Sequence, residues 1–201
     1  MVVALLSGAI SMRLLFVFSA LLAAMSVQAN ESQFVPICMS GEVAGKGTCP
    51  SLPKQGKLPG DWSCTHDNKT NLVWSIESSK GTWDYARGDY PKSVNQESRC
   101  RFSSGWRLPT RNELLTILIR ESGPLAKMQT LWKKNGTGQA AIDTRYFPGT
   151  RADVYWAADT LAPDPSFALF VYFKPGFDNE GNSYADSKSE ENYIRLVHDS
   201  L

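Results

Sequence analysis

The chain has 201 residues, with 21 Lys and Arg against 20 Asp and Glu, for a formal net charge of +1. That balance supplies no long-range attraction for nucleic acid or an anionic membrane. The 42% hydrophobic and 20% charged content is that of a packed globular protein, while only two histidines weaken any reading that needs a His-rich metal site or a Ser-His-Asp triad.

The apolar run from Leu14 to Ala24 follows Met12 and Arg13, and Val27-Gln28-Ala29 offers a small-residue cleavage site. A run of this length suits a signal peptide better than a membrane span, so residues 1–29 are expected to be a leader, with Met12 a more usual start than Met1. Removing it deletes one basic and no acidic residue, so the exported chain is expected to be neutral. The expected location is the periplasm, the cell surface or the extracellular space. All four cysteines, Cys38, Cys49, Cys64 and Cys100, follow the leader and read as disulfides. Their spacing contains no zinc-type pair. Of the three pairings, Cys38 with Cys49 and Cys64 with Cys100 is the simplest, contributing about 3 and 4 kcal/mol in the chain-entropy model.

Residues 30–60 are rich in Gly and Pro without a sustained hydrophobic period and read as a disulfide-stapled lead-in. Residues 61–201 then read as the main domain. Asp67 to Asn71 is a polar turn that feeds a strand at Leu72 to Ile76. Thr82 is predicted to cap a short helix carrying Trp83, Ala86 and Tyr90, closed by Pro91. Trp106-Arg107-Leu108-Pro109-Thr110 leads into a second helix, with Thr110 and Glu113 as a capping box. Its apolar stripe is Leu114, Leu115, Ile117 and Leu118, and Gly123-Pro124 is its predicted stop. Strands are predicted at Val154 to Ala158, at Phe167 to Phe173 with both faces apolar and hence central, and at Tyr193 to Val197. Lys174 to Glu191 reads as a long polar loop.

The order of these motifs resembles the Lcl C-terminal domain family, also known as DUF1566, over roughly Asp61 to His198. The resemblance rests on Asp67-Asn68-Lys69-Thr70-Asn71-Leu72-Val73-Trp74, on Trp83-Asp84-Tyr85-Ala86, on Cys100 and on the full Trp106-to-Leu114 motif. Phe147-Pro148, Tyr155-Trp156-Ala157-Ala158 and Ile194-Arg195-Leu196-Val197-His198 complete it. Asn71 stands where the family has Gly, and Asn holds a positive φ better than most residues. His198 stands in place of a closing Arg. The family is similar to C-type-lectin-like and formylglycine-generating-enzyme folds. The resemblance therefore implies a compact α+β domain with short helices packed on small antiparallel sheets, and with long loops. It implies core roles for Trp74 and Trp106 and a buried or semi-buried carboxylate partnership for Arg107, with a ligand contact as the rival role.

No G-x-S-x-G nucleophile motif is present, and no Cys lies beyond Cys100 for formylglycine-type chemistry. No cofactor is expected. Asp178, Asn179, Glu180 and Asn182 gather oxygen ligands as a calcium loop would, yet they miss the EF-hand spacing, and a polar turn is the plainer reading. The leading expectation is an exported, non-enzymatic binding module, adhesin-like, recognising a glycan or an envelope or extracellular protein. The alternatives are an envelope polysaccharide hydrolase using paired carboxylates and a structural component of a surface appendage such as a pilus.

Overall fold

The turn at Asp67 organises the first hairpin, in a computed structural model that describes residues 32–119, 140–175 and 184–199. Asp67 is fully buried and accepts from the Lys69 amide at 3.0 Å, the Thr70 hydroxyl at 2.7 Å and the Gln33 side chain at 3.1 Å. Asn71 closes the turn at φ 59°. Here its short polar side chain meets the left-handed requirement that Gly would otherwise meet. The hairpin joins β2 (Trp62–Asp67) to β3 (Leu72–Gly81).

Among the described residues, seven strands form one mixed sheet. Besides β2 and β3 these are β1 (Phe34–Cys38), β4 (Val154–Thr160), β5 (Phe167–Tyr172), β6 (Ala185–Ser187) and β7 (Asn192–Asp199), in the order β1-β2-β3-β7-β4-β5-β6. Every pairing is antiparallel except β4 with β7. The fold is thus α+β, with one large sheet where small antiparallel sheets were expected. Among the described residues three short α-helices accompany it: α1 (Trp83–Arg87), α2 (Asp89–Gln96) and α3 (Arg111–Ile117).

The alternation of strand side chains divides the core in two. Val73, Trp156 and Leu196 pack with Trp83, Ala86, Tyr90 and Val94 of α1 and α2. Their immediate neighbours Trp74, Tyr155, Ala157 and Val197 pack instead with Leu114 and Ile117 of α3 and with Phe147. Successive residues on one strand face opposite ways, so helices cover both faces of the sheet. All the described residues fall within one compact unit, Ser32–Leu201.

Several elements differ from expectation. Phe34–Cys38, inside the presumed loop-like lead-in, is an edge strand, a place where Pro36 can be accommodated without a full ladder of N–H donors. Pro91 does not close a helix; it lies in the first turn of α2, where its missing N–H has no intrahelical acceptor to lose. The helix after Thr110 ends at Ile117, because Leu118 is extended and the Ile119 amide donates to the Ala141 carbonyl at 2.8 Å. Gly123 and Pro124 lie outside the described residues. β5 is one strand from the edge, flanked by three-residue β6 inside the predicted loop, and the central position belongs to β7.

Candidate functional site

Ser98, Cys100 and Arg101 all have positive φ, at 51°, 52° and 71°. Such non-Gly conformations persist only where surrounding contacts over-determine them. Two anchors do so here. The Cys64–Cys100 disulfide, with a Cα–Cα distance of 6.3 Å, ties the turn to β2, and the turn directs Arg99 inward, leaving it 2% exposed. Arg99 Nη1 donates to Ser75 Oγ at 2.7 Å, and Nη2 donates to Glu77 Oε2 and Glu97 Oε2, each at 2.6 Å. Lys57 Nζ donates to Glu97 Oε1 at 2.8 Å and lies 3.6 Å from Glu77 Oε2. Two cations and two carboxylates thus form one connected network.

The charge states follow from this packing. Burial works against the Arg99 charge, but the hydrogen bond to Glu97 and the nearby negative charges outweigh it, raising the pKa. Burial likewise opposes ionisation of Glu97, yet hydrogen bonds from Lys57 and Arg99 hold its carboxyl below the ordinary range. The hydrogen bond to Glu97 raises the Lys57 pKa.

Beside this network lies a pocket of about 340 Å³, lined by Lys57, Glu77, Arg99, Trp62, Ile76 and Pro148 among others. Its outer wall is the lead-in. The Trp62 amide donates to the Lys54 carbonyl at 2.8 Å, and Ser63 Oγ donates to the Gly56 carbonyl at 2.5 Å, laying residues 54–56 along β2. The second disulfide, Cys38–Cys49, closes a separate loop upstream of residues 54–56. Both disulfides match the simplest pairing read from the sequence.

The family-motif residues lie elsewhere and build the fold. Trp74, Trp83, Trp106, Leu108 and Trp156 are core residues, and Trp83 and Trp156 donate to the Ala157 and Gly81 carbonyls. Pro109 is buried, and its carbonyl accepts from the Ala158 amide at 2.7 Å. Thr110 and Glu113 form a reciprocal capping box. Arg107 makes a forked pair with Glu113, at 2.9 and 2.7 Å, and also binds Asp199; it does not line the pocket. Arg195 is fully buried, with Phe147 and Tyr155 rings nearby.

Asp178, Asn179, Glu180 and Asn182, the calcium-loop residues, lie outside the described residues. Among the described residues no group of three or more His, Cys, Asp or Glu is placed to hold a metal ion, and no helix is long and apolar enough to cross a membrane. Sequence reasoning missed Arg99, Lys57, Glu77 and Trp62 as pocket residues. The only local signal was a pair of arginines flanking Cys100, which in sequence looks like ordinary surface charge.

The family model described as the Lcl C-terminal domain matches residues 63–198. No curated protein and no solved structure matches the chain.

Proposed function

Because the chain belongs to the Lcl C-terminal domain family, we propose that it is an exported, adhesin-like binding module that recognises a glycan or protein ligand at the cell envelope through the pocket beside Arg99. The observation that carries this reading is the pocket's construction: charged groups held by mutual pairing, with the Arg99 turn tied to β2 by the Cys64–Cys100 disulfide. Such preorganisation lowers the ordering cost of binding. The disulfides and the leader-like residues 1–29 support export. A C-type-lectin-like relationship, with its kinship to formylglycine-generating enzymes, belongs to the same proposal; the short helices and long connections are compatible with it.

A carboxylate hydrolase is the second reading, favoured by one observation: Glu77 and Glu97 accept from the same Arg99 nitrogen, which brings two carboxylates close together. Glycoside hydrolysis needs one carboxyl free to protonate the leaving group and the other free to attack or activate water, whereas both carboxylates here are engaged by Arg99 and Lys57. Binding therefore fits the site better than turnover, and a structural role in a surface appendage draws on no comparable feature.

The test is to display the full chain against glycan and extracellular-matrix protein arrays, with Glu77→Gln in parallel. Retention of a ligand by the native chain and its loss in the variant supports the proposal. Silence on both arrays, together with co-purification with an appendage, overturns it, as does turnover of an envelope polysaccharide that Glu97→Gln abolishes.

A further inference from the structure

We propose that β3 offers its free edge, Glu77 to Lys80, to an extended peptide that adds as an antiparallel strand and places its C-terminal carboxylate in the pocket beside Arg99. This inference rests on the binding-module reading and commits it to a protein ligand.

The edge is open because β2 leaves β3 early. β3 runs from Leu72 to Gly81, but its pairing with β2 covers only Leu72 to Ser75. Where β2 would run on beside Ile76 and Glu77, Trp62 turns its backbone to the lead-in instead. Its amide donates to the Lys54 carbonyl at 2.8 Å, and its carbonyl accepts from the Gly56 amide at 3.3 Å. On its other side β3 pairs with β7 again from Ser78 to Gly81. Among the described residues no strand covers the β2-facing edge of this half of β3. Glu77 and Lys80 are exposed, and Ser78 and Ser79 are half-buried. An uncovered edge is a template for a further strand, and at a strand's rise per residue this one spans about 13 Å.

The pocket opens at the fork between the two strands, lined by Trp62 and Ser63 of β2 and by Ile76, Glu77 and Ser78 of β3. Its charge fixes which end of a peptide enters. Lys57 and Arg99 line it against Glu77, while Glu97 stands outside the lining. Arg195, opposite Ser78 on β7, adds a cation behind the β3 wall. It is fully buried, bonds the Ile76 carbonyl and the Thr150 hydroxyl, and its Nε has no hydrogen-bond partner. Among the described residues no carboxylate pairs with it. Lys57, Arg99 and Arg195 thus stand against Glu77 and Glu97, and a buried charge without a counterion is unfavourable. One further carboxylate in the pocket restores the balance. A peptide antiparallel to β3 brings its C-terminus to this end, because β3 runs outward from the pocket toward Lys80. Trp62, Ile76 and Pro148 then offer an apolar wall to the last side chain.

The experiment follows the fluorescence anisotropy of an N-terminally labelled Ser-Thr-Val-Thr-Val peptide added to the full chain, once with a free C-terminal carboxylate and once as the C-terminal amide, with acetate as competitor. The free acid is expected to bind, and the amide to bind at least tenfold more weakly. Lys57→Met should weaken binding of the free acid severalfold; Lys57 is exposed, and the comparison of acid with amide needs no variant. Bound free acid should slow hydrogen exchange at alternate amides of Glu77 to Lys80, those facing away from β7. Acetate, a carboxylate without a strand, should compete only at large excess. Equal binding of acid and amide, binding of neither, slowed exchange confined to residues outside Glu77 to Lys80, or displacement by acetate at the peptide's own concentration overturns the inference. A ligand retained on the arrays would in that case leave the broader binding reading standing.

Discussion

Arg195 Nη1 donates to the Ser75 carbonyl at 2.6 Å, while the hydroxyl of the same Ser75 accepts from Arg99 at 2.7 Å. Two buried guanidinium groups therefore meet at one residue of β3. Arg99 is neutralised by carboxylates; Arg195 binds two carbonyls and the Thr150 hydroxyl, and burial lowers its pKa. Replacing Arg195 by Ala strips donors from three buried or half-buried acceptors and leaves a cavity, so a loss of about 3 kcal/mol or more is expected. Arg195→Met fills the space without restoring the donors and should cost less than Arg195→Ala. Urea unfolding of the two variants checks this order.

The α3 cap gives a smaller effect. Thr110 accepts from the Glu113 amide while Glu113 accepts from the Thr110 amide. Thr110→Ala removes half of this reciprocal bonding and is expected to cost about 1 kcal/mol, readable as a lowered melting temperature.

Acid should loosen the clasp that Arg107 makes. Burial alone would raise the Glu113 carboxyl, but Arg107 and the Thr110 amide outweigh it and hold it below its ordinary 4.5. Arg107 likewise holds Asp199 below its ordinary 3.8. Both folded-state values lie below the unfolded ones, so this contribution is complete above about pH 5 and is lost as pH falls through the carboxylate range. Asp199 is largely exposed, so the combined effect should stay near 1 kcal/mol. Stability curves from pH 6.5 to 3 should be flatter for Arg107→Ala than for the native chain.

Cys64 and Cys100 are 36 residues apart in sequence, and their joint replacement by Ser is expected to cost about 4 kcal/mol by loop entropy. The same change frees the left-handed turn, so the Arg99 side-chain NMR signals should lose their distinct environment. Reduction with dithiothreitol should reproduce both effects in the native chain.

Gly105 has φ 86°, and a Cβ there would lie 2.7 Å from His198 Nε2. His198 stacks on Phe102 at 3.9 Å and bonds the Ser104 carbonyl. Gly105→Ala combines backbone strain with displacement of that ring, and a loss of about 1 to 2 kcal/mol is expected. Histidine ring signals that stay unshifted in the variant would contradict the displacement.

Local chemistry made parts of this molecule legible in advance. The capping box at Thr110, the positive φ of Asn71 and the alternation of β5 each depend on a few adjacent residues whose types permit one local answer. Pro36 misled because the edge position that makes it tolerable is a property of the whole sheet. The end of α3 was misplaced for a similar reason: Ile119 leaves the helix for Ala141, a partner that no local stop signal reveals. The pocket was the least legible feature. Arg99, Glu77 and the stretch holding Lys57 and Trp62 are distant in sequence, and they converge through the Cys64–Cys100 disulfide and the sheet register.

The position of β7 bears on how the chain reaches its folded state. This strand, the last one described, sits between β3 and β4 and bonds to both, with Leu72 opposite Asp199 and Tyr155 opposite Tyr193. The two halves of the sheet stay unjoined until β7 has been delivered, and its pairing with β3 spans more than a hundred residues. Closure is therefore a late, long-range event, slow by its topology.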